Sequence, residues 1–198
     1  MLKLFPKYIY IKLIFVTHNY NIPHIQNTMN ASIPSPEARY AALFKELHIL
    51  CQEQNWGDPF SYARSREIHM ANTLGHHIAL GFSGADAYED QERTIPVEYK
   101  STTGSLKGTY NGISVKSTWD EQMQYLREGK ICCYVRHYFA RYEGANIVEM
   151  WCLDCETVLS GLLDRIQAQF LRERNGADPR LGATLSGRYI RNHGTQII

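Results

Sequence analysis

Apolar residues in the first third of the chain recur at helical spacing. Over 36–53 they fall every three or four positions, which places them on one helix face; they are Tyr40, Leu43, Phe44, Leu47 and Leu50. Ser35 suits the N-cap position, and the proline and acid that follow it suit a first helical turn. We therefore predict a helix over 36–53, followed by a second from Ser61 to Leu74.

Later in the chain, short runs of β-branched and aromatic residues predict strands. Residues 131–142 and 146–153 alternate on either side of a turn, which is typical of a β-hairpin, and a shorter strand is predicted over 78–82. Asp154 is placed to cap a last long helix, whose apolar face is formed by Val158, Leu162, Leu163, Ile166 and Phe170. With a closing strand near the C-terminus, this order of elements predicts an α+β fold.

Two acidic residues and a lysine lie in neighbouring apolar-flanked runs. Asp86 falls within Gly84–Tyr88, while Glu98 and Lys100 fall within Ile95–Ser101. Side chains alternate along a strand, so Glu98 and Lys100 project to the same side. If the two runs pair as a hairpin, Asp86 meets Glu98 with Lys100 beside them.

The grouping of two acids with a lysine is open to two interpretations, a metal site and a solvated ion pair. Paired carboxylates repel unless a cation lies between them, and oxygen ligands with room for water suit Mg²⁺. A neighbouring lysine is able to orient or deprotonate a water, or to stabilise charge on a phosphate. The pattern therefore predicts a metal-dependent phosphodiesterase site at Asp86, Glu98 and Lys100, whereas the alternative is an exposed hairpin carrying a solvated ion pair.

Length and charge narrow the function classes only modestly. The chain has 198 residues and a formal net charge of +1, so we expect one domain and no global preference for a polyanion. Basic residues are segregated, with seven Lys or Arg against three acids over 100–141 and five Arg against two acids from 172 onward. This segregation fits a face turned towards phosphates, although solvated surfaces give similar counts.

Five cysteines and no clean secretory signal predict free thiols in a reducing cytoplasm. Cys152 and Cys155, taken with the adjacent pair Cys132 and Cys133, are the candidates for a zinc site. Adjacent cysteines are poorly spaced as ligands, and both pairs lie in apolar runs typical of strands. We therefore expect these cysteines to be buried as small hydrophobic residues.

Residues 1–28 differ in character from the rest of the chain. They contain three lysines and no acids, and their apolar run over 8–16 is interrupted by Lys12 and too short to span a bilayer. We predict that 1–28 is an N-terminal extension that is not part of the native protein. Met29 would then be the true first residue, and 29–198 would form a single domain. An intact mass of native protein that includes residues 2–28 would contradict this prediction.

Six short blocks follow one another in an order found in a known nuclease group. They are Gly57–Phe60, Gly84–Ala87, Glu98–Ser101, Leu106–Gly108, Phe139–Gly144 with Ile147–Glu149, and His193–Ile197. In these blocks the chain resembles the PvuII-like Type II restriction endonucleases of the PD-(D/E)XK nuclease superfamily. The resemblance runs from about Pro34 to the C-terminus and leaves 1–28 outside.

The resemblance implies a PD-(D/E)XK core, with a mixed sheet flanked by helices. It also implies a homodimeric, cytoplasmic enzyme that cuts double-stranded DNA at a short palindromic site with Mg²⁺, as part of restriction-modification. Carried over by position, Asp86 and Glu98 match the metal-binding acids and Lys100 the catalytic lysine. The implied DNA contacts are Asp58, Lys107, Tyr110, Asn111, Ser114, Lys116 and His193.

The chain departs from this family in the polar, glycine-rich loop predicted over 102–112. Over 107–116 the family reads the major groove with histidines, and here Tyr110–Lys116 replaces them. Asn111, Ser114 and Lys116 are the substitute readers, since Asn pairs with adenine and Lys with guanine.

Two questions stay open at this point, the role of the first helix and the choice of function. The apolar face of the first helix is a candidate dimer contact, with burial against its own sheet as the equal alternative. The other candidate functions are a repair or junction-cleaving nuclease of the same superfamily and a DNA-binding protein whose nuclease site has decayed. A metal-free structural or interaction protein is the last alternative.

Overall fold

The structure is a computed structural model and describes residues 34–81, 84–173 and 180–198. Its helices are α1 (Pro36–Glu53), α2 (Arg64–Leu74), α3 (Trp119–Tyr125), α4 (Cys155–Glu173) and α5 (Gly187–His193), and a π-helical turn covers Leu126–Lys130. Its strands are β1 (His77–Ile78), β2 (Ala87–Tyr88), β3 (Pro96–Thr102), β4 (Lys107–Ser114), β5 (Arg136–Glu143), β6 (Asn146–Asp154), β7 (Arg180–Ser186) and β8 (Thr195–Gln196). The predicted extension 1–28 and the predicted start at Met29 lie outside the described residues.

The predicted α+β class is confirmed, with a mixed sheet flanked by helices. Six strands form this sheet in the order β1-β2-β3-β5-β6-β8, and β4 pairs with β7 in a separate two-stranded sheet. β3 and β5 run parallel, whereas the other neighbours in the large sheet are antiparallel. No helix in the described part of the chain is both long enough and apolar enough to cross a membrane.

The central strands β3 and β5 separate two apolar clusters. On one side, Val97, Tyr99 and Tyr138 pack against α2 residues such as Met70. On the other side, Phe139 packs against a cluster built from α4 and from the β4–β7 pair. Residues of β3 alternate between these sides, so Glu98 and Lys100 face the α4 side while Tyr99 faces α2.

The helix predictions are confirmed with small shifts of their boundaries. The Ser35 hydroxyl accepts a 3.2 Å hydrogen bond from the amide of Ala38, as an N-cap does. α2 begins three residues after the predicted Ser61, because the Ser61 hydroxyl instead donates to Asp58 in a tight turn. Asp154 caps α4 through a 2.8 Å bond from the amide of Thr157.

Several strand predictions were wrong. The predicted loop over 102–112 contains much of strand β4, which pairs with β7 from Lys107↔Ser186 onward. Gly108 makes this packing possible, because a Cβ there would lie 2.1 Å from the Phe139 ring. β7 and α5 were not predicted within the C-terminal region. The strand predicted over 78–82 overlaps β1 only at Ile78, and Phe82 is outside the described residues.

The strand predicted over 131–142 begins only at Arg136. The Leu126 carbonyl accepts from both Ile131 and Cys132 amides, so the chain continues to turn after the π-helical segment. Pairing with β3 starts near Val135, whose amide donates 2.9 Å to the Pro96 carbonyl. The segment 131–135 is therefore a turn that delivers the chain to β5.

The apolar face of α1 is not buried against the sheet of this chain. Leu43 is 57% exposed, Phe44 44%, Leu47 47% and Leu50 44%. Cys51 is the buried residue of this helix. Phe44 does stack on Phe60 at 3.9 Å between ring centroids, but the described residues leave most of this face open to solvent.

Candidate active site

The predicted hairpin forms and brings Asp86 against β3. Ala87 pairs with Val97, and the amide of Asp86 donates 3.1 Å to the Val97 carbonyl. β2 includes only Ala87 and Tyr88, so the backbone amide of Tyr99 has no β2 carbonyl opposite it. Its amide donates 2.7 Å to Oδ2 of Asp86. The carboxylate thus takes the place of a strand carbonyl and is held beside Glu98 and Lys100.

Glu98 and Lys100 form an ion pair on one side of β3, as their spacing predicts. Both side chains are largely covered, with relative exposures of 15% and 23%. This pair is therefore not the freely solvated ion pair of the simpler alternative. Burial strengthens the interaction of each group with its charged neighbours, because there is less water to screen it.

The aromatic ring of Tyr110 packs against the ammonium group of Lys100. The Lys100 ammonium lies 5.0 Å from the centroid of the Tyr110 ring, within the range of a cation–π contact. Tyr110 is 3% exposed, and its hydroxyl is 2.8 Å from Nδ1 of His137. Nε2 of His137 is 3.1 Å from the Ile131 carbonyl, so it carries the proton and Nδ1 accepts from Tyr110. Burial lowers the pKa of His137 to about 4, which keeps this ring neutral.

The electrostatics of the site centre on Asp86. Burial, followed by the charges of Glu98 and Glu67, raises the pKa of Asp86 from its usual 3.8 to about 8. The Tyr99 amide and Lys100 oppose this shift without cancelling it. At neutral pH the carboxyl group therefore carries a proton unless another cation compensates its charge.

Glu67 is a member of the acidic group that the sequence analysis missed. It projects from α2 and forms a 3.3 Å ion pair with the buried Arg64. A cavity of about 270 Å³ opens next to Asp86, lined by Tyr62, Arg64, Glu67, Gly81, Ala85 and Asp86. Nothing in the local sequence marks Glu67, because its approach to Asp86 depends on how α2 packs on the sheet.

Tyr134 closes another side of the site. Its hydroxyl donates 3.2 Å to the carbonyl of Gly84, two residues before Asp86. Burial and then the charge of Glu98 raise its pKa well above the usual value, so the phenol stays protonated. The turn at 131–135 is thereby tied to the loop that carries Asp86.

The structure separates the residues predicted to contact DNA into three settings. Lys107, Asn111 and Ser114 are exposed on β4, and His193 is exposed on α5. Lys116 lies 4.2 Å from the centroid of the Tyr125 ring. Tyr110, in contrast, is buried on β4, with its ring against the Lys100 ammonium.

Asp58 is engaged within its own turn. Its Oδ2 accepts 2.6 Å from the Ser61 hydroxyl and its Oδ1 accepts 3.1 Å from the Phe60 amide. The Ser61 hydrogen bond, followed by the Phe60 amide, lowers the pKa of this carboxyl group. Asp58 therefore has a clear role in shaping the turn before α2.

Many of the segregated basic residues are paired inside the chain. Arg136 pairs with Glu89 and Arg127 with Glu156. Arg141 and Arg191 both pair with Glu149, whose pKa they help lower to about 2, with Arg191 contributing most. The charge segregation read from the sequence therefore overstates the free positive charge of this face.

The site contains two carboxyl groups, those of Asp86 and Glu98. It also contains Lys100, which pairs with Glu98 and contacts the Tyr110 ring. Oxygen ligands of this kind suit a hard divalent cation, and the raised pKa of Asp86 marks a position where added positive charge is favoured. Comparison with known proteins adds nothing to this geometry, since no family model and no curated protein matches the chain.

Proposed function

We propose that this chain is a Mg²⁺-dependent endonuclease of the PD-(D/E)XK type that hydrolyses phosphodiester bonds of double-stranded DNA. The observation that carries the proposal is the grouping of Asp86, Glu98 and Lys100 at the β2–β3 hairpin. Three functional groups with the chemistry of phosphodiester hydrolysis meet there, and two of them come from one strand face.

Asp86 and Glu98 would hold Mg²⁺. When bound, this ion lowers the pKa of a coordinated water and offsets charge on the phosphate. Lys100 donates hydrogen bonds to a phosphate oxygen and orients the attacking water. Tyr110 and Glu98 hold the ammonium in place, since one lies under it and the other is paired with it.

The architecture supports a PD-(D/E)XK core. The candidate site lies on a central strand of a mixed sheet, and helices cover both sides of that sheet. Asp86 enters from the antiparallel neighbour of this strand, while the other neighbour runs parallel to it. These features agree with the resemblance in the six sequence blocks.

We further propose that two copies associate through α1. The helix is 18 residues long and presents Tyr40, Leu43, Phe44, Leu47 and Leu50 largely to solvent. Most of the stability of a helix in a protein comes from packing of its apolar face, so an open, continuous apolar face favours a partner. A two-fold dimer would supply two copies of the site, one for each strand of a palindromic target.

DNA reading is assigned to the exposed side chains of β4. Asn111 lies next to Gly112, where the pairing register with β7 shifts. Such bulges redirect side chains away from the regular ladder. Asn111, Ser114 and Lys107 are the candidate contacts to the groove, with Lys116, Asp58 and His193 placed around them by the resemblance. Tyr110 is reassigned from base reading to the support of Lys100.

The decisive experiment on activity is digestion of plasmid DNA with Mg²⁺, followed by sequencing of the fragment ends. The proposal predicts discrete ends at one short palindrome and no cutting with EDTA. Ragged ends would instead favour a repair or junction-cleaving nuclease. Absence of product despite DNA binding would favour a DNA-binding protein with a decayed site.

A further inference from the structure

Two thiols and a carboxylate meet away from the candidate nuclease site. Cys132 lies in the turn at 131–135, and Cys155 and Glu156 are the first two residues of α4. One ligand atom from each of the three residues lies within 4.8 Å of the others. Sγ of Cys132 is 3.8 Å from Oε1 of Glu156. The sequence predicts that Cys132, Cys133, Cys152 and Cys155 are buried as small hydrophobic residues, but all four are only partly buried, and two of them belong to this group.

We propose that Cys132, Cys155 and Glu156 form a binding site for a zinc-class cation. Two thiolates and one carboxylate are ligands that Zn²⁺ accepts, and a water would complete a tetrahedral set. Sulfur ligands select this class of ion over Mg²⁺, which prefers the all-oxygen donors of Asp86 and Glu98. The site is thus chemically distinct from the nuclease site, and its existence does not depend on nuclease activity.

The three donors are delivered by backbone that is already fixed. The Leu126 carbonyl accepts from the Cys132 amide at 3.3 Å and from the Ile131 amide at 2.8 Å. Ile131 is fully buried, which anchors the turn that carries Cys132. On the other side, Asp154 caps α4 and sets the direction of Cys155 and Glu156. Preorganised donors reduce the ordering that cation binding requires.

The group formed by Cys132, Cys155 and Glu156 is accessible to solvent, and the Arg127–Glu156 ion pair beside it does not prevent a cation from binding. Cys132 and Cys155 are half-buried, while Glu156 is largely exposed. Arg127 pairs with Glu156, but both side chains are at least half exposed, so separating them costs little. As the two sulfur–metal bonds form, the two thiol protons leave to solvent.

A bound cation would join two parts of the fold that surround the candidate nuclease site. The turn at 131–135 contains Tyr134, which is bonded to Gly84 near Asp86. Linking Cys132 to α4 would restrain this turn. We therefore expect added Zn²⁺ to raise the melting temperature of the reduced protein, and this effect should be lost when the thiols are removed.

The test uses the reduced full-length chain and Co²⁺ as a spectroscopic probe. Thiolate ligands give cobalt an intense near-ultraviolet charge-transfer band, which oxygen ligands such as Asp86 and Glu98 do not produce. The wild-type chain should show this band, with saturation at one equivalent and loss on addition of Zn²⁺. The band should weaken in Cys132→Ser and Cys155→Ser and disappear in the double variant, whereas the neighbouring Cys133→Ser should keep it in full.

A further variant keeps the test independent of thiol removal. Glu156→Gln changes an exposed side chain, so it is expected to fold, keep the band and bind Co²⁺ more weakly. The proposal is overturned if the wild-type chain gives no thiolate band, or if the Cys132→Ser/Cys155→Ser variant retains it. It is also overturned if thiol mapping finds a Cys132–Cys155 disulfide that reduction opens without any gain of cation binding.

Discussion

The backbone amide of Tyr99 donates a 2.7 Å hydrogen bond to Oδ2 of Asp86, and this bond sets the geometry of the candidate site. It fixes the carboxylate against a buried strand, next to a second carboxylate. A single amide does not compensate the cost of burying the charge, and the pKa of Asp86 is raised to about 8. Burial of the ionised Asp86 carboxylate beside Glu98 therefore opposes folding stability, as is common at functional sites.

The first prediction concerns Asp86→Asn. Between pH 4 and pH 8 the folded wild-type chain binds more protons at position 86 than the unfolded chain, so this group makes stability fall as pH rises. Asparagine does not titrate and still accepts from Tyr99. Asp86→Asn should therefore be more stable than wild type at pH 8, by about 1–2 kcal/mol. Urea denaturation without divalent ions measures the difference, which should shrink towards pH 4.

Asp90→Asn is the matched control for this prediction. Hydrogen bonds from the Thr94 side chain and neighbouring amides lower the pKa of Asp90 to about 2, so its charge is favoured in the folded chain. Its stabilising effect is present above its usual pKa of 3.8 and is lost as pH falls towards 2. Asp90→Asn should destabilise the protein at pH 8. If both substitutions changed the free energy of unfolding by the same small amount at pH 8, the account of Asp86 would be contradicted.

The second prediction separates the ring of Tyr110 from its hydroxyl. Tyr110→Phe keeps the ring beneath Lys100 but removes the bond to His137, whereas Tyr110→Leu removes the ring. We expect Tyr110→Phe to lose stability and keep most of its cleavage rate. Tyr110→Leu should lose a further factor of about 2 to 30 in rate, the equivalent of one cation–π contact. Single-turnover cleavage with saturating Mg²⁺ measures this, and equal rates for the two variants would contradict the role of the ring.

The third prediction concerns sequence reading by Asn111. This residue is exposed on β4 where the pairing with β7 shifts, so its side chain contributes little to the core. Asn111→Ala should relax or abolish the preference for the target sequence while changing the melting temperature little. Fragment-end sequencing compares the variant with wild type. An unchanged set of cut sites would remove Asn111 from the reading residues.

The fourth prediction concerns the oligomeric state. Leu47→Glu places a charge in the apolar face of α1, and a two-fold dimer would bury two copies of it. The substitution should convert a dimer into a folded monomer, observed by sedimentation. Lys45→Glu introduces the same side chain on the same helix outside that face and should leave the dimer intact. A monomeric wild-type chain at micromolar concentration would contradict the role of α1.

The sequence predicts local relationships in this fold better than distant ones. The proximity of Asp86, Glu98 and Lys100 follows from hairpin pairing and from strand alternation, both of which act over a few residues. Glu67 was missed because its position depends on the docking of α2 against the sheet. No local pattern encodes that contact.

Strand β4 is a second case in which distant packing, rather than the local sequence pattern, determines the structure. Its glycines and polar residues predict a loop, yet Gly108 is needed where β4 crosses the Phe139 ring. The partner strand β7 alternates Leu181, Ala183 and Leu185 towards the core, but its small residues weaken the signal. The reassignment of Tyr110 follows directly from this strand, because pairing with β7 turns its ring inward under Lys100.

The most direct test of the proposed nuclease site compares plasmid cleavage by wild type, Glu98→Ala and Lys100→Ala with Mg²⁺ and with EDTA. Duplex binding, measured in parallel with Ca²⁺, serves as the control for folding and DNA affinity. We predict cleavage by the wild-type chain only with Mg²⁺, and a loss of at least about a hundredfold in both variants while duplex binding persists. Cleavage by Lys100→Ala at the wild-type rate would contradict the account.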